Sequence, residues 1–223
     1  MSDLAVIIPA AGSSSRFGGA DKLVAPLQGD QPVIALTLRT FLKHASVGLV
    51  VLATRESVPW SDPRVAVCKG GASRAETVRN ALAIVPREFE WVAVHDAARP
   101  LVSQRLIDDV LAAAQRYGAA IPAVPVVPSI KQADGPLPAK VQRTVPRRTL
   151  WAVQTPQVMR RAALEAAYAA CGLPLEQVTD EAQLLEVAGQ DVWLVPGEER
   201  NLKITTPDDL RLARALLAED GRR

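Results

Sequence analysis

LAVIIPAAGSSSRFGGADK, residues 4–22, is the stretch that decides the fold. It opens with the apolar run Leu4–Ile8, which predicts a short buried β-strand. Small residues follow at Gly12–Ser15, so backbone N–H groups can approach an anion closely, and Arg16 and Lys22 add positive charge. Successive backbone amides in such a loop form a nest for an anion. The stretch therefore predicts a strand that leads into a polyphosphate-binding loop.

This loop matches neither of the two common phosphate-binding motifs. No Gly-Lys-Ser/Thr follows at the spacing of a P-loop, and Gly12 has no second glycine until Gly18, so the GxGxxG dinucleotide motif is absent. Taken alone, the stretch also fits a flexible turn between strand and helix with surface cations.

Composition indicates one globular domain. The 223 residues can bury one substantial core, so we expect a single domain over 1–223. The net charge of +2 is too small to argue for nucleic acid or an anionic membrane, and with 4% aromatic residues a base-stacking platform is not expected.

The remaining bulk features favour a cytoplasmic protein. Cys68 and Cys171 are far apart and outside any CxxC pair, so we expect buried free thiols rather than a disulfide or a zinc site. The first apolar run is too short for a signal peptide, and no segment approaches the length of a membrane span.

Strand-like and helix-like segments alternate along the chain, which predicts an α/β fold with a mostly parallel sheet covered by helices on both faces. The predicted strands are Leu4–Ile8, Gly48–Ala53, Val65–Val67, Trp91–Val94, Ala119–Val127 and Val192–Val195. The predicted helices are Val33–Lys43, Ser73–Val85, Ser103–Tyr117, Pro156–Cys171, Asp180–Ala188 and Pro207–Ala218.

The alternation stops after Val127. Residues 128–140 are rich in proline and glycine, and Val141–Thr144 and Leu150–Val153 suggest short strands. We interpret about 128–149 as a β-arm or lid that leaves the core; a disordered surface loop is the alternative.

Three further stretches carry candidate chemistry. Asp96 follows a buried strand, where ligands of open α/β sheets collect, and its carboxylate suits Mg²⁺; the alternatives are a helix cap or a partner for Arg99. Gly71 and Thr77 lie at the start of a helix, where backbone can approach a base or an anion. Lys203 could complete a cluster of phosphate-binding cations, or it could be solvated. Together these features favour displacement at the α-phosphate of a nucleotide.

Six motifs in this order resemble those of the 2-C-methyl-D-erythritol 4-phosphate cytidylyltransferase family over nearly the whole chain. They are PAAGSSSR (9–16), GG with Arg74 (70–74), VHDAARP (94–100), LWAVQTPQ (150–157), TDEA (179–182) and NLKIT (201–205). The resemblance implies a Rossmann-like core and a homodimer that exchanges the β-arm. It also implies transfer of CMP from CTP to 2-C-methyl-D-erythritol 4-phosphate with release of pyrophosphate, a step of non-mevalonate isoprenoid precursor synthesis.

Residue roles also follow from the resemblance. Arg16 and Lys22 would stabilise the triphosphate and the pentacoordinate α-phosphate, Lys203 would contact the same region, and Asp96 would hold Mg²⁺ or another divalent cation. The cytidine would lie among Ala10, Ala11, Gly12, Gly71 and Thr77, with Arg99 close by. The acceptor phosphate would be bound by Ser129, Arg147, Thr155 and Thr179.

The chain departs from the family pattern at three places. The family usually has Pro-Lys where this chain has Asp21-Lys22, with one more residue after Arg16, and it usually has an acidic residue in place of Ala72. In the arm it has Asp-Thr in place of Pro128-Ser129, which concerns the choice of acceptor.

Three other functions compete with this one. A ribitol 5-phosphate cytidylyltransferase shares most of these motifs. An NAD(P)-dependent oxidoreductase is disfavoured because GxGxxG is missing. A non-catalytic nucleotide-binding regulator would bind CTP without turnover.

Overall fold

A computed structural model describes residues 3–12, 17, 21–55 and 60–220. The strands are β1 (Leu4–Pro9), β2 (Pro26–Gln28), β3 (Gln31–Pro32), β4 (Val47–Thr54), β5 (Val65–Lys69), β6 (Trp91–Val94), β7 (Ala119–Pro125), β8 (Ile130–Ala133), β9 (Val141–Val145), β10 (Trp151–Val153), β11 (Gln157–Arg160) and β12 (Trp193–Pro196). The α-helices are α1 (Val33–Leu42), α2 (Arg74–Leu82), α3 (Gln104–Tyr117), α4 (Arg161–Ala170), α5 (Glu181–Val187) and α6 (Pro207–Asp220), and Leu175–Gln177 is a 3-10 turn.

Eight strands form the central sheet, in the order β10-β7-β11-β6-β1-β4-β5, with β12 added beside β7. β1 pairs in parallel with β4 and with β6, and β4–β5 and β7–β12 are parallel as well. β10 and β11 run antiparallel to their neighbours. The predicted mostly parallel sheet is confirmed, and its direction of winding reverses at β1.

The run Leu4–Ile8 is apolar throughout because both of its faces are buried. Leu4, Val6 and Ile8 pack into one hydrophobic cluster with residues of α1, α3 and α6. Ala5 and Ile7 pack into a second cluster with residues of α2, α4 and α5. Since side chains alternate along a strand, a strand covered by helices on both sides needs an unbroken apolar sequence.

Three helices start where their capping residues place them. Ser73 accepts a hydrogen bond from Glu76 N (3.1 Å), Ser103 from Leu106 N (3.0 Å) and Asp180 from Gln183 N (3.0 Å). α3 ends at Gly118, whose φ of 96° favours glycine.

One predicted helix is partly wrong. Residues 157–160, assigned to the helix Pro156–Cys171, form β11, which lies antiparallel between β6 and β7. Val158 and Met159 are fully buried there. A four-residue strand that runs directly into a helix gives no separate periodicity, so the apolar pattern could not distinguish the two.

The excursion after β7 contains a hairpin. β8 pairs with β9, and among the described strands neither has any other partner. The short strand predicted at Leu150–Val153, just after the arm, forms β10 at the edge of the main sheet. The hairpin carries large apolar residues that are exposed in this chain, including Leu137 and Val141.

Two smaller observations complete the fold. In the part of the chain that is described, no helix is long and apolar enough to cross a bilayer. Cys68 and Cys171 are both free thiols, as predicted, but each is only partly buried.

We expect Leu38→Ala to lower the free energy of unfolding by about 2–5 kcal/mol, because it empties a fully buried site in the cluster under α1. Leu212→Ala is the matched control on α6, where the side chain is 52% exposed. Urea unfolding of both variants measures the difference. Equal losses in the two would contradict the described core.

Candidate active site

A cavity of about 420 Å³ opens at the carboxyl ends of the central strands. Its described lining comes from the segments after β1, β4, β5 and β6, and from Lys22, Leu23 and Thr205. β1 is where the sheet reverses its winding, and ligands of open α/β sheets bind at such switch points. The predicted location of the site is therefore matched by a cavity of ligand size.

Close backbone packing shapes one wall of the cavity. A Cβ added to Gly70 would lie 2.4 Å from Cβ of Ala11, and one added to Gly71 would lie 2.3 Å from Cγ of Glu76, so neither position has room for a side chain. The hydroxyl of Thr77 accepts a hydrogen bond from Gly71 N (3.0 Å) and donates one to Ser73 O (2.8 Å). Thr77 thus fixes the turn that carries the two glycines.

Three cations surround the carboxylate of Asp96. Lys203 Nζ lies 2.9 Å from Oδ2 and Arg99 Nε 3.4 Å from the same oxygen, while Arg74 Nε lies 3.6 Å from Oδ1. These cations come from three separate parts of the chain. They meet because β6 ends at this point of the sheet, beside α2 and the segment before α6.

This surrounding charge keeps Asp96 ionised. Burial alone would raise the pKa of the carboxyl group, but the charges of Arg74, Lys203 and Arg99 outweigh that effect and hold it well below its usual range. Asp96 is therefore a permanent anion in a nearly enclosed position, and it can act as an oxygen ligand or as a counter-ion at any physiological pH.

A hydrogen-bond chain fixes the backbone that carries Asp96. Asp96 N donates to the Thr155 hydroxyl (3.0 Å), which bonds His95 Nδ1 (3.1 Å), and His95 Nε2 bonds Arg99 O (3.0 Å). A carbonyl can only accept, so Nε2 carries the proton and Nδ1 accepts from the hydroxyl. Burial lowers the pKa of His95 to about 4, in agreement with a neutral ring that serves the structure.

The segment that carries Lys203 is held by two buried amides. Gln154 Nε2 donates to Glu198 O (2.8 Å) and its Oε1 accepts from Glu198 N (3.2 Å). Asn201 Nδ2 donates to Thr155 O (2.8 Å), and Asn201 O accepts from Arg99 Nη1 (2.7 Å). These bonds tie residues 198–201 to the end of β10, so Lys203 is presented to Asp96 from a fixed backbone.

A family model described as 2-C-methyl-D-erythritol 4-phosphate cytidylyltransferase (IspD) matches residues 4–219. The chain belongs to this family. A cytidylyltransferase of that name from Gloeobacter violaceus is 39% identical over 230 residues, which are 95% of this chain and 95% of the relative. One from Bacillus velezensis is 39% identical over 97% of each chain.

Longer relatives match as well. The bifunctional enzymes IspD/IspF of Desulfotalea psychrophila and Anaeromyxobacter dehalogenans are 40% and 42% identical, and the chain spans 58% and 56% of their lengths.

Solved structures agree with the fold. The cytidylyltransferase (IspD) of Francisella tularensis superimposes with a TM-score of 0.84 at 34% identity, over 95% of this chain and 98% of that one. The enzyme of Thermus thermophilus gives 0.80 at 35%, over 96% and 98%. The Rossmann-like fold is thereby confirmed.

The structure brings most of the residues predicted as nucleotide-binding, catalytic or metal-binding together. Those lining the cavity are Ala10, Ala11, Gly12, Lys22, Gly71, Thr77 and Asp96. Arg99 and Lys203 are not among the described lining residues, but both contact the Asp96 carboxylate. Arg16 lies outside the described residues, so its role stays a prediction.

The predicted acceptor-binding residues are not in the described lining of this cavity. Ser129 and Arg147 are exposed at the two ends of the arm, and Thr179 is exposed at the start of α5. Thr155 is buried, and its one hydroxyl proton is engaged by His95. The contacts of all four with an acceptor remain predictions.

Lys22 lines the cavity and is half-buried. The pKa of Asp209 is lowered despite some burial, by hydrogen bonds from the backbone of Thr206 and Thr205 and by the charge of Lys22. Asp21, the residue that departs from the family pattern, accepts a hydrogen bond from Leu23 N (3.0 Å). Both acidic residues near the predicted catalytic lysine are thus placed by local backbone.

Sequence reasoning gave no role to Arg74, Arg55 or Glu181. Arg74 joins Asp96 to Glu181, which is 107 residues away in the chain. Arg55 lines the cavity and donates from Nε to Ala11 O (2.8 Å). No local pattern marks such partners, because the fold alone makes them neighbours.

We expect Thr155→Val to lower the free energy of unfolding by about 1–3 kcal/mol, since it leaves the buried Asp96 N–H and His95 Nδ1 without their partner. Thr155→Ser keeps the hydroxyl and is the matched control. Urea unfolding measures both. If the valine variant were as stable as the serine variant, the hydroxyl would not hold this strand end.

Proposed function

We propose that the cavity binds CTP and that the phosphate of 2-C-methyl-D-erythritol 4-phosphate attacks the α-phosphate of that CTP in line. The observation that carries the proposal is the meeting of Asp96 with Arg74, Arg99 and Lys203 beside a cavity that is also lined by Lys22 and glycine backbone. Family membership supports the same reaction.

The charges of the site suit a polyanion. The described lining contains three cations, Lys22, Arg55 and Arg74, and one carboxylate, Asp96; outside the lining, the buried Glu181 also pairs with Arg74. A triphosphate would meet a surplus of fixed positive charge without waiting for the protein to rearrange, which is how preorganised sites stabilise developing charge. Arginine is also the side chain best suited to binding two oxygens of one phosphate.

Asp96 is also the residue that would hold Mg²⁺. Mg²⁺ in nucleotide sites takes one or two protein carboxylates and completes its shell with phosphate oxygens and water. A single ionised carboxylate on the cavity wall fits that need, and the described residues contain no cluster of three or more acidic, histidine or cysteine ligands that would hold a metal alone. When bound, the metal would neutralise charge on the phosphates.

The residues of the chain then have distinct tasks. An oxygen of the acceptor phosphate forms a bond to the α-phosphorus, the bond from that phosphorus to the bridging oxygen breaks, and pyrophosphate leaves. Lys203, 40% exposed and 2.9 Å from Asp96, lies where it could turn from the carboxylate to the charged α-phosphate. Lys22 and Arg16 would stabilise the same phosphate from the loop side.

The acceptor half of the site is proposed to come from a second copy of the chain. Ser129 and Arg147 lie on the arm, and the β8–β9 hairpin pairs with no other described strand. Val127, Leu137 and Trp151 are exposed on or near it, which is unusual for large apolar side chains in one segment. A homodimer that exchanges arms would cover these residues and bring Arg147 to the partner's cavity.

We expect the purified chain to release pyrophosphate from CTP with 2-C-methyl-D-erythritol 4-phosphate and Mg²⁺. Ribitol 5-phosphate is tested in parallel, because the arm departs from the family pattern at Pro128-Ser129. Lys203→Met should lower kcat about 10²–10³-fold, since it removes one preorganised cation from the α-phosphate.

Lys43→Met is the matched control for that variant, because Lys43 is exposed at the end of α1. No turnover with the methylerythritol phosphate but turnover with the ribitol phosphate would replace the proposed acceptor. Calorimetric binding of CTP without turnover of either would make the chain a regulator rather than an enzyme.

Arm exchange predicts that two inactive variants restore each other. Arg147→Ala should inactivate the arm and Lys203→Met the cavity, so each homodimer should be nearly inactive. In an equal mixture refolded together, half of the dimers are mixed and each has one intact arm facing one intact cavity, which gives about a quarter of the wild-type activity. If the arm served its own chain, the mixture would be as inactive as its parts.

A further inference from the structure

Glu181 is a fully buried carboxylate for which the proposed reaction has no task. Its side chain is 0% exposed, and it is the first residue of α5. Both of its oxygens accept from the same guanidinium nitrogen, Arg74 Nη1, at 2.8 and 2.9 Å. A buried carboxylate without such a partner would be strongly destabilising, so this pair is fixed in place.

Arg74 extends that contact to the active site. Its Nε lies 3.6 Å from Oδ1 of Asp96, and the residue lines the cavity, so one guanidinium stands between the two carboxylates. Burial opposes the charge of Arg74, but Glu181 and Asp96 more than compensate and raise its pKa. The guanidinium is therefore held by two anions rather than left to turn toward the cavity.

The turn that contains Glu181 is attached at a second point. Gln157, on β11, donates from Nε2 to Asp180 Oδ2 (2.9 Å) and accepts from Ala182 N (3.2 Å). Thr179 in the same turn donates from its backbone N (2.7 Å) and its hydroxyl (3.2 Å) to Gln183 Oε1. The start of α5 is thus a rigid unit that presents Thr179 at the surface and Glu181 to the interior.

We propose that Glu181 is a positioning residue that acts through Arg74, holding that guanidinium beside Asp96 and tying the α5 turn to the carboxylate of the nucleotide site. This inference rests on the proposed function and adds a residue that touches neither substrate. Groups that orient a metal ligand change activity about 10–100-fold when they are lost, and Glu181 would act on such a group, Arg74.

We call the contact from Glu181 through Arg74 to Asp96 the relay. Because Arg74 is charged, loss of Glu181 should affect kcat and CTP binding differently. In Glu181→Gln, Arg74 keeps only Asp96 as a counter-ion, so its positive charge becomes available to the triphosphate. We therefore expect kcat to fall about 10–100-fold while CTP binds at least as tightly as before. A variant that was merely misfolded would lose CTP-binding stoichiometry along with activity.

The experiment compares Glu181→Gln with Glu186→Gln, the same change at an exposed position of the same helix. Arg74→Lys and the double variant complete a cycle, since one ammonium cannot serve both carboxylates. Pyrophosphate release gives kcat, calorimetry gives CTP affinity and stoichiometry, and thermal unfolding shows that each protein is folded. If Glu181 acts through Arg74, the double variant loses no more than the worse single variant.

The other outcomes decide against the relay. A folded Glu181→Gln within threefold of Glu186→Gln overturns it, as do losses that multiply in the double variant. Should Glu181→Gln fail to fold, Arg74→Lys decides, because it leaves Glu181 a charged partner, and wild-type activity there overturns the relay. If the wild type turns over no acceptor, the proposed function fails, but the relay can still be tested by CTP binding. In that case, weaker CTP binding by Glu181→Gln than by Glu186→Gln counts against the relay.

Discussion

The charge of Asp96 is the constraint on which the rest of the site depends. Arg74, Arg99 and Lys203 would repel one another at the distances at which they stand, and only a carboxylate between them makes their approach favourable. Each belongs to a different segment, so the anion at the end of β6 also gathers the start of α2 and the segment before α6. Removing this one charge would leave three buried or half-buried cations without their common partner.

The sheet explains why an anion can be kept at that point. β6 is buried on both faces and lies beside β1, where the winding reverses, so its last residues are packed between neighbouring strands and helices. His95 and Thr155 use their polar atoms to fix the backbone there, and Asn201 does the same for the adjoining segment. Hydrogen bonds between uncharged groups hold the backbone in place, so the charged side chains are left to face the cavity.

Features of the fold that depend on residues close together in the sequence could be predicted. The apolar run of β1, the caps at Ser73, Ser103 and Asp180, and the place of Asp96 at a strand end all follow from neighbouring residues. β11 was missed because a four-residue strand that continues into α4 has no pattern of its own. The Arg74–Glu181 pair was missed for a different reason: 107 residues separate the partners, and only the packing of α5 against the sheet makes them neighbours.

The division between the two halves of the site has a physical cause. The nucleotide half is built from the ends of parallel strands, which point to one edge and need no help from outside the sheet. In the proposed reaction, the acceptor phosphate would reach this edge from the side of the cavity that the described residues leave open. A long arm with exposed apolar residues and basic side chains cannot be stable as a free hairpin, because too little of its surface is buried. In the proposed arm exchange, this exposed surface would cover the cavity of a second chain, so assembly and catalysis would depend on the same residues.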